Sequence, residues 1–220
     1  MLRLGDINGS PYVGVYCAAS EDIAVVSGTT TDPKALKELA QTLGVEIVRT
    51  IIAGATIIGS LVAMNSNGVI VTNFAEPHEL ARFPKGLRIT KMEEKFNAAG
   101  NNVLVNDRAA LVNPGVSDKT VKRLQDTLGV EVQRGSVAGI ETVGSVGIAT
   151  SKGVVCHPRT SEDELKWLSE LFRVPATVAT LNYGTPYLGA CAVANSKGAY
   201  VGSKSTPIEL GRLDDGLSLF

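Results

Sequence analysis

Gly59-Ser-Leu-Val-Ala-Met-Asn65-Ser-Asn-Gly68 is a short apolar run opened by a glycine, closed six positions later by an asparagine, and followed by a second glycine three positions further on. The same frame returns at Gly144, Thr150 and Gly153, and again at Gly189, Asn195 and Gly198. Two weaker copies keep its first two positions, Gly14 with Ser20 and Gly100 with Asn106. The leading glycines at 14, 59, 100, 144 and 189 stand 45, 41, 44 and 45 residues apart. A fixed period of that size signals a ring, solenoid or array. A second echo keeps the same register. Thr42-Leu-Gly-Val-Glu-Ile-Val-Arg49 recurs 85 positions later as Thr127-Leu-Gly-Val-Glu-Val-Gln-Arg134.

Each repeat reads as strand, polar turn, strand, helix, strand. The first strands are predicted at Val13–Cys17, Ser60–Met64, Val103–Val105, Ser145–Ala149 and Ala190–Ala194, and the second at Ile23–Ser27, Val69–Thr72, Ala109–Val112, Val154–Cys156 and Ala199–Val201. Val, Ile and Ala dominate these runs, as suits buried strands. Helix starts follow at Asp32-Pro33, Ser117-Asp118 and Thr160-Ser161-Glu162-Asp163, where capping side chains precede an apolar stripe of helical spacing. Gly44 and Gly129 read as helix stops. Third strands are predicted at Val45–Arg49, Leu87–Thr90, Val130–Arg134 and Val174–Ala179. The fifth repeat has a helix near Pro207–Leu213 but no third strand before Phe220, whereas Leu2-Arg3-Leu4 forms an orphan strand before the first repeat. If the orphan supplies the missing strand, the ring closes end on end and leaves no atypical capping repeat.

The bulk numbers suit one soluble globular domain over residues 1–220, with 44% hydrophobic and 20% charged residues. Repeats begin near residues 12, 57, 98, 142 and 187. No segment approaches the ~18 apolar residues of a membrane span. The first residues carry no apolar signal-peptide run, and three cysteines without CxxC spacing fit a reducing, cytoplasmic setting. A net charge of −1 lacks the basic surplus of a protein that grips nucleic acid through its phosphates, so docking on a nucleic-acid machine is expected to use a protein component.

The inventory for chemistry is thin. The two histidines, His78 and His157, sit in different repeats, and the neighbours Cys156 and His157 point to opposite faces of a strand. Cys17 and Cys191 lie in apolar runs, where a thiol packs as a small hydrophobe. Gly28-Thr-Thr-Thr-Asp-Pro33 reads as a strand-to-helix turn rather than a phosphate loop. Glu93-Glu94 and Asp214-Asp215 read as solvated surface, and Trp167 as core. No catalytic, metal or cofactor site is predicted.

What remains is the rim where the repeats begin, which five-fold stacking brings to one face. Its segments are uncharged and small or aromatic, including Tyr12, Ile57, Asn101, Asn102, Val143, Tyr183 and Tyr187. Interface cores are enriched in aromatics and depleted in charge. Read from the residues alone, these segments are equally well tight turns and strand starts.

Three stretches, Ile52-Ala-Gly-Ala-Thr-Ile-Ile-Gly59, Asn106-Asp107 with Ala110-Leu-Val-Asn-Pro114, and Val154-Val-Cys-His-Pro158, together with the register of all five repeats, resemble the translation initiation factor 6 family of archaea and eukaryotes. The short C-terminus resembles the archaeal form. The resemblance implies a pentein fold, an α/β ring of five ββαβ-type units about a pseudo-five-fold axis. It implies a monomeric anti-association factor that binds the large ribosomal subunit, chiefly ribosomal protein uL14 near the sarcin–ricin loop. Such a factor blocks joining of the small subunit and acts in large-subunit maturation, without cofactor, membrane or small-molecule substrate. The family's contact surface falls on Tyr12, Ile57, Ser60, Asn101, Thr142 and Tyr187. Ser60 departs from the eukaryotic pattern, where a basic residue follows the glycine, so one charged contact is expected to be absent. Other penteins modify guanidino groups with a central Cys, His and carboxylates, a catalytic alternative to which these residues lend little. A third possibility is a pentein scaffold for some other protein partner.

Overall fold

The computed structural model describes residues 1–30 and 32–219. After β1 (Leu2–Gly5), repeat 1 comprises α1 (Val13–Tyr16), β2 (Cys17–Ala19), β3 (Ile23–Ser27), α2 (Pro33–Leu43) and β4 (Glu46–Thr50). Repeat 2 comprises α3 (Ile58–Leu61), β5 (Val62–Met64), β6 (Gly68–Thr72), α4 (Pro77–Leu80) and β7 (Arg88–Met92). Repeat 3 comprises α5 (Ala99–Asn102), β8 (Val103–Val105), β9 (Ala109–Val112), α6 (Asp118–Leu128) and β10 (Glu131–Arg134). Repeat 4 comprises β11 (Gly147–Ala149), β12 (Val154–Cys156), α7 (Glu162–Phe172) and β13 (Ala176–Val178), and repeat 5 comprises α8 (Leu188–Cys191), β14 (Ala192–Ala194), β15 (Ala199–Gly202) and α9 (Pro207–Leu217).

The strands form five three-stranded sheets, each with an antiparallel first pair and a parallel third strand, consistent with a pseudo-five-fold repeat. The orphan strand behaves as the sequence predicts: β1 pairs in parallel with β15, Leu2 opposite Ala199, and completes the fifth sheet. No repeat owns a core. α2 packs on β1 and β15, α6 on β6 and β7, and α9 on β12 and β13, so each of these three helices covers the sheet of the repeat before its own. The hydrophobic clusters follow this arrangement. One joins Ile7, Leu39 and Leu43 of the first repeat to Val193 and Tyr200 of the fifth.

Helix ends form where capping chemistry dictates. Asp32 accepts from the N–H groups of Lys34 and Ala35, and Ser117 from that of Thr120. Gly44 and Gly129 end their helices in the left-handed conformation. Within Gly28–Pro33, Thr31 lies outside the described residues, as does Phe220 at the end of repeat 5.

The structure corrects several boundaries. Four of the five predicted first strands begin too early. Val13–Tyr16, Ile58–Leu61 and Leu188–Cys191 are single helical turns, residues 143–145 form a turn followed by a bend at 146, and the strands proper last three residues. The reason is the repeat glycine. A side chain on Gly14, Gly59, Gly100, Gly144 or Gly189 would collide with the carbonyl of the preceding glycine in the set, and Gly14 stands in that relation to Gly189. The five glycines therefore close a backbone-to-backbone ring, in which tight helical turns bring the chains into contact. The last helix runs on to Leu217, and the helix of repeat 2 is only four residues long. Leu80 at its end, with Phe83 and Leu87 in the segment beyond it, joins the cluster of Ile23, Val25 and Val48.

The turn asparagines lock the opposite end of the ring. Asn65 Nδ2 donates to Asn106 O (3.2 Å) and Leu128 O (2.9 Å) in repeat 3. Asn106 Nδ2 reaches Thr150 O (2.9 Å) and Phe172 O (3.3 Å) in repeat 4. Asn195 Nδ2 reaches Ser20 O (3.1 Å) and Leu43 O (2.9 Å), stapling the fifth repeat to the first. Each Oδ1 accepts from two N–H groups of its own turn, so the buried amide is fully satisfied.

Candidate functional site: the face of the entry turns

Strand directions place the start of each first strand, the end of each second strand and the end of each third strand at one end of the ring. The entry turns, the loops after the second strands and the helix N-termini therefore share that face. Ile7–Ser10, Ile52–Ala55, Val137–Ile140 and Leu181–Thr185 are each closed by an isolated β-bridge. Their central residues have positive φ, as in Asn8 (53°) with Gly9 (72°) and Ala53 (54°) with Gly54 (68°), the conformation that glycine and asparagine reach most easily.

Three of these turns rest on a glutamate from the third position of their own repeat's helix. Glu79 accepts from the N–H groups of Ala53 (2.8 Å) and Gly54 (2.9 Å), Glu164 from that of Ala138 (2.9 Å), and Glu209 from those of Tyr183 (3.1 Å) and Gly184 (2.7 Å). Burial works to raise the pKa of Glu209, but the Thr206 and Gly184 N–H groups and the Thr180 and Thr206 hydroxyls outweigh it and hold the carboxyl below its usual range. Glu79 and Glu164 are shifted the same way by the same contest between burial and backbone donors. The turns are thus fixed from below by ionised side chains, and their apolar side chains are left outside.

Tyr12, Ile57, Ala98 and Tyr187 are the residues immediately before the short helical turns, and Thr142 holds the same place in repeat 4. Tyr12, Ile57 and Tyr187 are exposed, and Tyr183, beside them in the longer fifth turn, is 84% exposed. Ser60 and Asn101 line the axial opening of about 40 Å³ with one glycine from every repeat. Thr142 is half-buried, its hydroxyl 3.0 Å from that of Ser145.

Two residues predicted for this surface are not on it. Val143 is 0% exposed and packs with Leu104 and Leu111. Asn102 is 4% exposed, donating to Ala98 O and accepting from Asn113 Nδ2, each at 2.9 Å. In each case the residue after an outward-facing one turns inward.

The sequence reading also missed three exposed apolar residues on this face. Phe74 follows β6, Phe96 lies in the entry segment of repeat 3 beneath the Lys95 ammonium, and Ile208 opens α9. Ile208 could have been found, because it is out of phase with the buried stripe of Leu213 and Leu217. Of the exposed large apolar residues, Tyr12, Ile57, Phe74, Phe96, Tyr183, Tyr187 and Ile208 lie on this face, whereas Met1 and Leu4 belong to the N-terminal strand region.

The candidate nucleophiles lie elsewhere and are shielded. Cys17, Cys156 and Cys191 are buried, and burial pushes the Cys156 and Cys191 thiols up to about 11 and raises Cys17 as well. Cys17 begins β2 and Cys191 ends α8, rather than both lying within strands. His157 is buried just after β12, its Nδ1 accepting from the Arg159 N–H at 3.1 Å. Glu93 is exposed and pairs with Arg123, and Glu94 bonds Ser117. Among the described residues, no three His, Cys, Asp or Glu side chains group as metal ligands, and no helix is long and apolar enough to cross a membrane.

Known proteins match this chain along nearly its whole length. The model of the eIF-6 family matches residues 2–216. Curated relatives that carry the name Translation initiation factor 6 include three from different archaea. The one from Thermoplasma acidophilum is 39% identical over 99% of this chain and 100% of its own length. That from Methanosarcina mazei is 39% identical over 99% of this chain and 98% of its own, and that from Pyrococcus horikoshii is 37% identical over 96% of each. With the match running from β1 into α9 and the relatives aligned end to end, the chain belongs to the eIF-6 family.

Proposed function

We propose that this chain is a translation factor of pentein fold that binds the large ribosomal subunit through the entry-turn face and thereby holds the small subunit off. The observation that carries the reading is the grouping of exposed, uncharged aromatic and aliphatic side chains on that one face, set on turns fixed by Glu79, Glu164 and Glu209. Rigid aromatics lose little conformational freedom on docking and act as anchors. With a net charge of −1, the chain is better suited to a protein patch than to bare RNA. Ribosomal protein uL14, beside the sarcin–ricin loop, is the partner the family relationship suggests. The effect needs no chemical step: two ligands compete for overlapping surfaces of one subunit. A part in large-subunit maturation and action as a cytoplasmic monomer belong to the same reading. The shielded thiols give the guanidino-modifying alternative no support.

The test is pelleting with purified large subunits. Tyr187→Glu and Asn101→Arg should each weaken binding by about tenfold or more, the effect of losing an anchor, with thermal stability unchanged. If both variants bind as the wild type does, the face assigned to the interface is wrong.

A further inference from the structure

The sequence holds two Asn-Gly pairs, and the fold treats them in opposite ways. Asn67-Gly68 is pinned. The Gly68 N–H donates to Asn65 Oδ1 at 3.1 Å, and Asn67 Nδ2 donates to Leu128 O at 2.9 Å. Gly68 is buried as the first residue of β6, and the backbone of Thr127 closes the space where a side chain on it would lie. Asn8-Gly9 is loose. Both residues are exposed, and among the described residues no atom beyond the chain neighbours lies within 4 Å of the place a Gly9 side chain would occupy. Neither the Asn8 side chain nor the Gly9 N–H has a hydrogen-bond partner among the described residues. In the second and fifth entry turns the Gly54 and Gly184 N–H groups are held by Glu79 and Glu209, whereas the third position of α2 is Ala35.

We propose that Asn8 is a site of self-deamidation and isoaspartate formation, selected by its turn. The reaction needs the Gly9 nitrogen to reach Asn8 Cγ. Positive φ at both centres, 53° at Asn8 and 72° at Gly9, is the signature of a type I′ turn. A flip of the Asn8–Gly9 peptide converts it to type II′, which keeps the positive φ of Asn8 and reverses that of Gly9, a change of sign that glycine makes freely. The flip sets the Gly9 nitrogen on the side of the Asn8 Cβ. The bridge bonds, Ile7 N–H to Ser10 O (3.1 Å) and Ser10 N–H to Ile7 O (3.0 Å), lie outside that peptide and survive its rotation. Hydroxide takes the Gly9 amide proton, and the nitrogen attacks Asn8 Cγ. The bond from Cγ to the side-chain nitrogen breaks, and ammonia leaves with a proton from water. The five-membered imide then takes up one water. Cleavage at Cγ gives Asp, and cleavage at the main-chain carbonyl of Asn8 gives isoaspartate. In sum, an amide and a water become an acid and an ammonia, with no change of oxidation state. The product puts a carboxylate in the first entry turn and, in the iso form, a methylene in its main chain. The step is independent of ribosome binding.

The test is incubation of the purified, folded protein at mildly alkaline pH in heavy-oxygen water, beside a urea-denatured sample held until both pairs have reacted. Digestion in ordinary water and peptide mapping by mass spectrometry then place the label. Trypsin releases residues 4–34, in which Asn8 is the single asparagine. In the denatured sample the two pairs should react at similar rates, because their local sequences are alike. In the folded protein Asn8 should react at least about tenfold faster than Asn67, whose reaction waits on local opening of its hydrogen bonds. Both Asp and isoaspartate should appear at Asn8. The Asn8→Gly variant, whose Gly-Gly pair suits the same turn, should lose the label from residues 4–34 and keep its melting temperature within a few degrees. Folded protein that keeps Asn8 as the amide while the denatured sample converts it overturns the inference. Equal rates at Asn8 and Asn67 in the folded protein overturn it too, because the turn would then select nothing.

Discussion

The two ends of the ring are built from opposite chemistry. At the turn end, Asn65, Asn106 and Asn195 each spend every donor and acceptor on backbone, partly across a repeat junction, and Ser66 and Ser196 add bonds to Asp107 and Glu21 of the next repeat. At the entry end, hydrogen bonds are spent beneath the surface by Glu79, Glu164 and Glu209, and the side chains left outside are Tyr12, Ile57, Phe74, Tyr183, Tyr187 and Ile208. One end holds the ring together, and the other is held rigid while remaining available. Stability and binding should therefore separate along the axis.

The largest blow to that division would fall between the ends. Gly100→Val drives a side chain into the Gly59 carbonyl and, with backbone on both sides, has nowhere to move it. The variant should lose cooperative unfolding by circular dichroism, not merely melt earlier. Next comes Asn106→Ala, which unpairs the Thr150 and Phe172 carbonyls and the Arg108 and Ala109 N–H groups. A loss of about 2–4 kcal/mol in denaturant unfolding is expected from stranded buried groups, with binding of the remaining folded protein intact. Thr150 serves the equivalent turn of repeat 4 with local bonds alone, so the ring tolerates an unstapled junction.

Acid should loosen the entry end. Glu79, Glu164 and Glu209 have folded pKa values below their ordinary one, so the stability they confer is present above the unfolded value of about 4.3 and is lost as pH falls through the folded values. Unfolding followed down from neutral pH should show this loss, and Glu209→Gln should show less of it. A variant as acid-sensitive as wild type would mean that the carboxylate does not support the fifth turn. The smallest effect on stability belongs to Tyr183→Ser, within about 0.5 kcal/mol for an exposed residue. Its effect on large-subunit binding should be clear, sharpening the contrast with Asn106→Ala.

The repeat period made much of this legible. Ile23–Ser27, Ala109–Val112 and Val154–Cys156 match their predicted strands because continuous β-branched or small apolar runs sit between unmistakable turns. The caps at Asp32, Ser117 and Ser161 were readable for the same local reason. The one-turn helices were not, since four residues with no capping side chain leave no periodic trace. Nor was the role of the asparagines visible, because their partners lie 41 to 175 residues away and the contact exists only once the ring has closed. Tyr12, Ile57, Tyr183 and Tyr187, singled out by composition, are exposed in the structure. Val143 and Asn102 were not told apart from their outward neighbours, because a turn reverses direction between adjacent residues.

The central claim is that the entry-turn face keeps ribosomal subunits apart. Sedimentation of the protein with both subunits, at a magnesium concentration that permits joining, tests it most directly. The account predicts that the protein travels with the large subunit and the joined-ribosome peak falls. Tyr187→Glu should restore that peak, and Asn106→Ala, assayed below its melting temperature, should not. Protein left at the top of the gradient while subunits join normally would contradict the account.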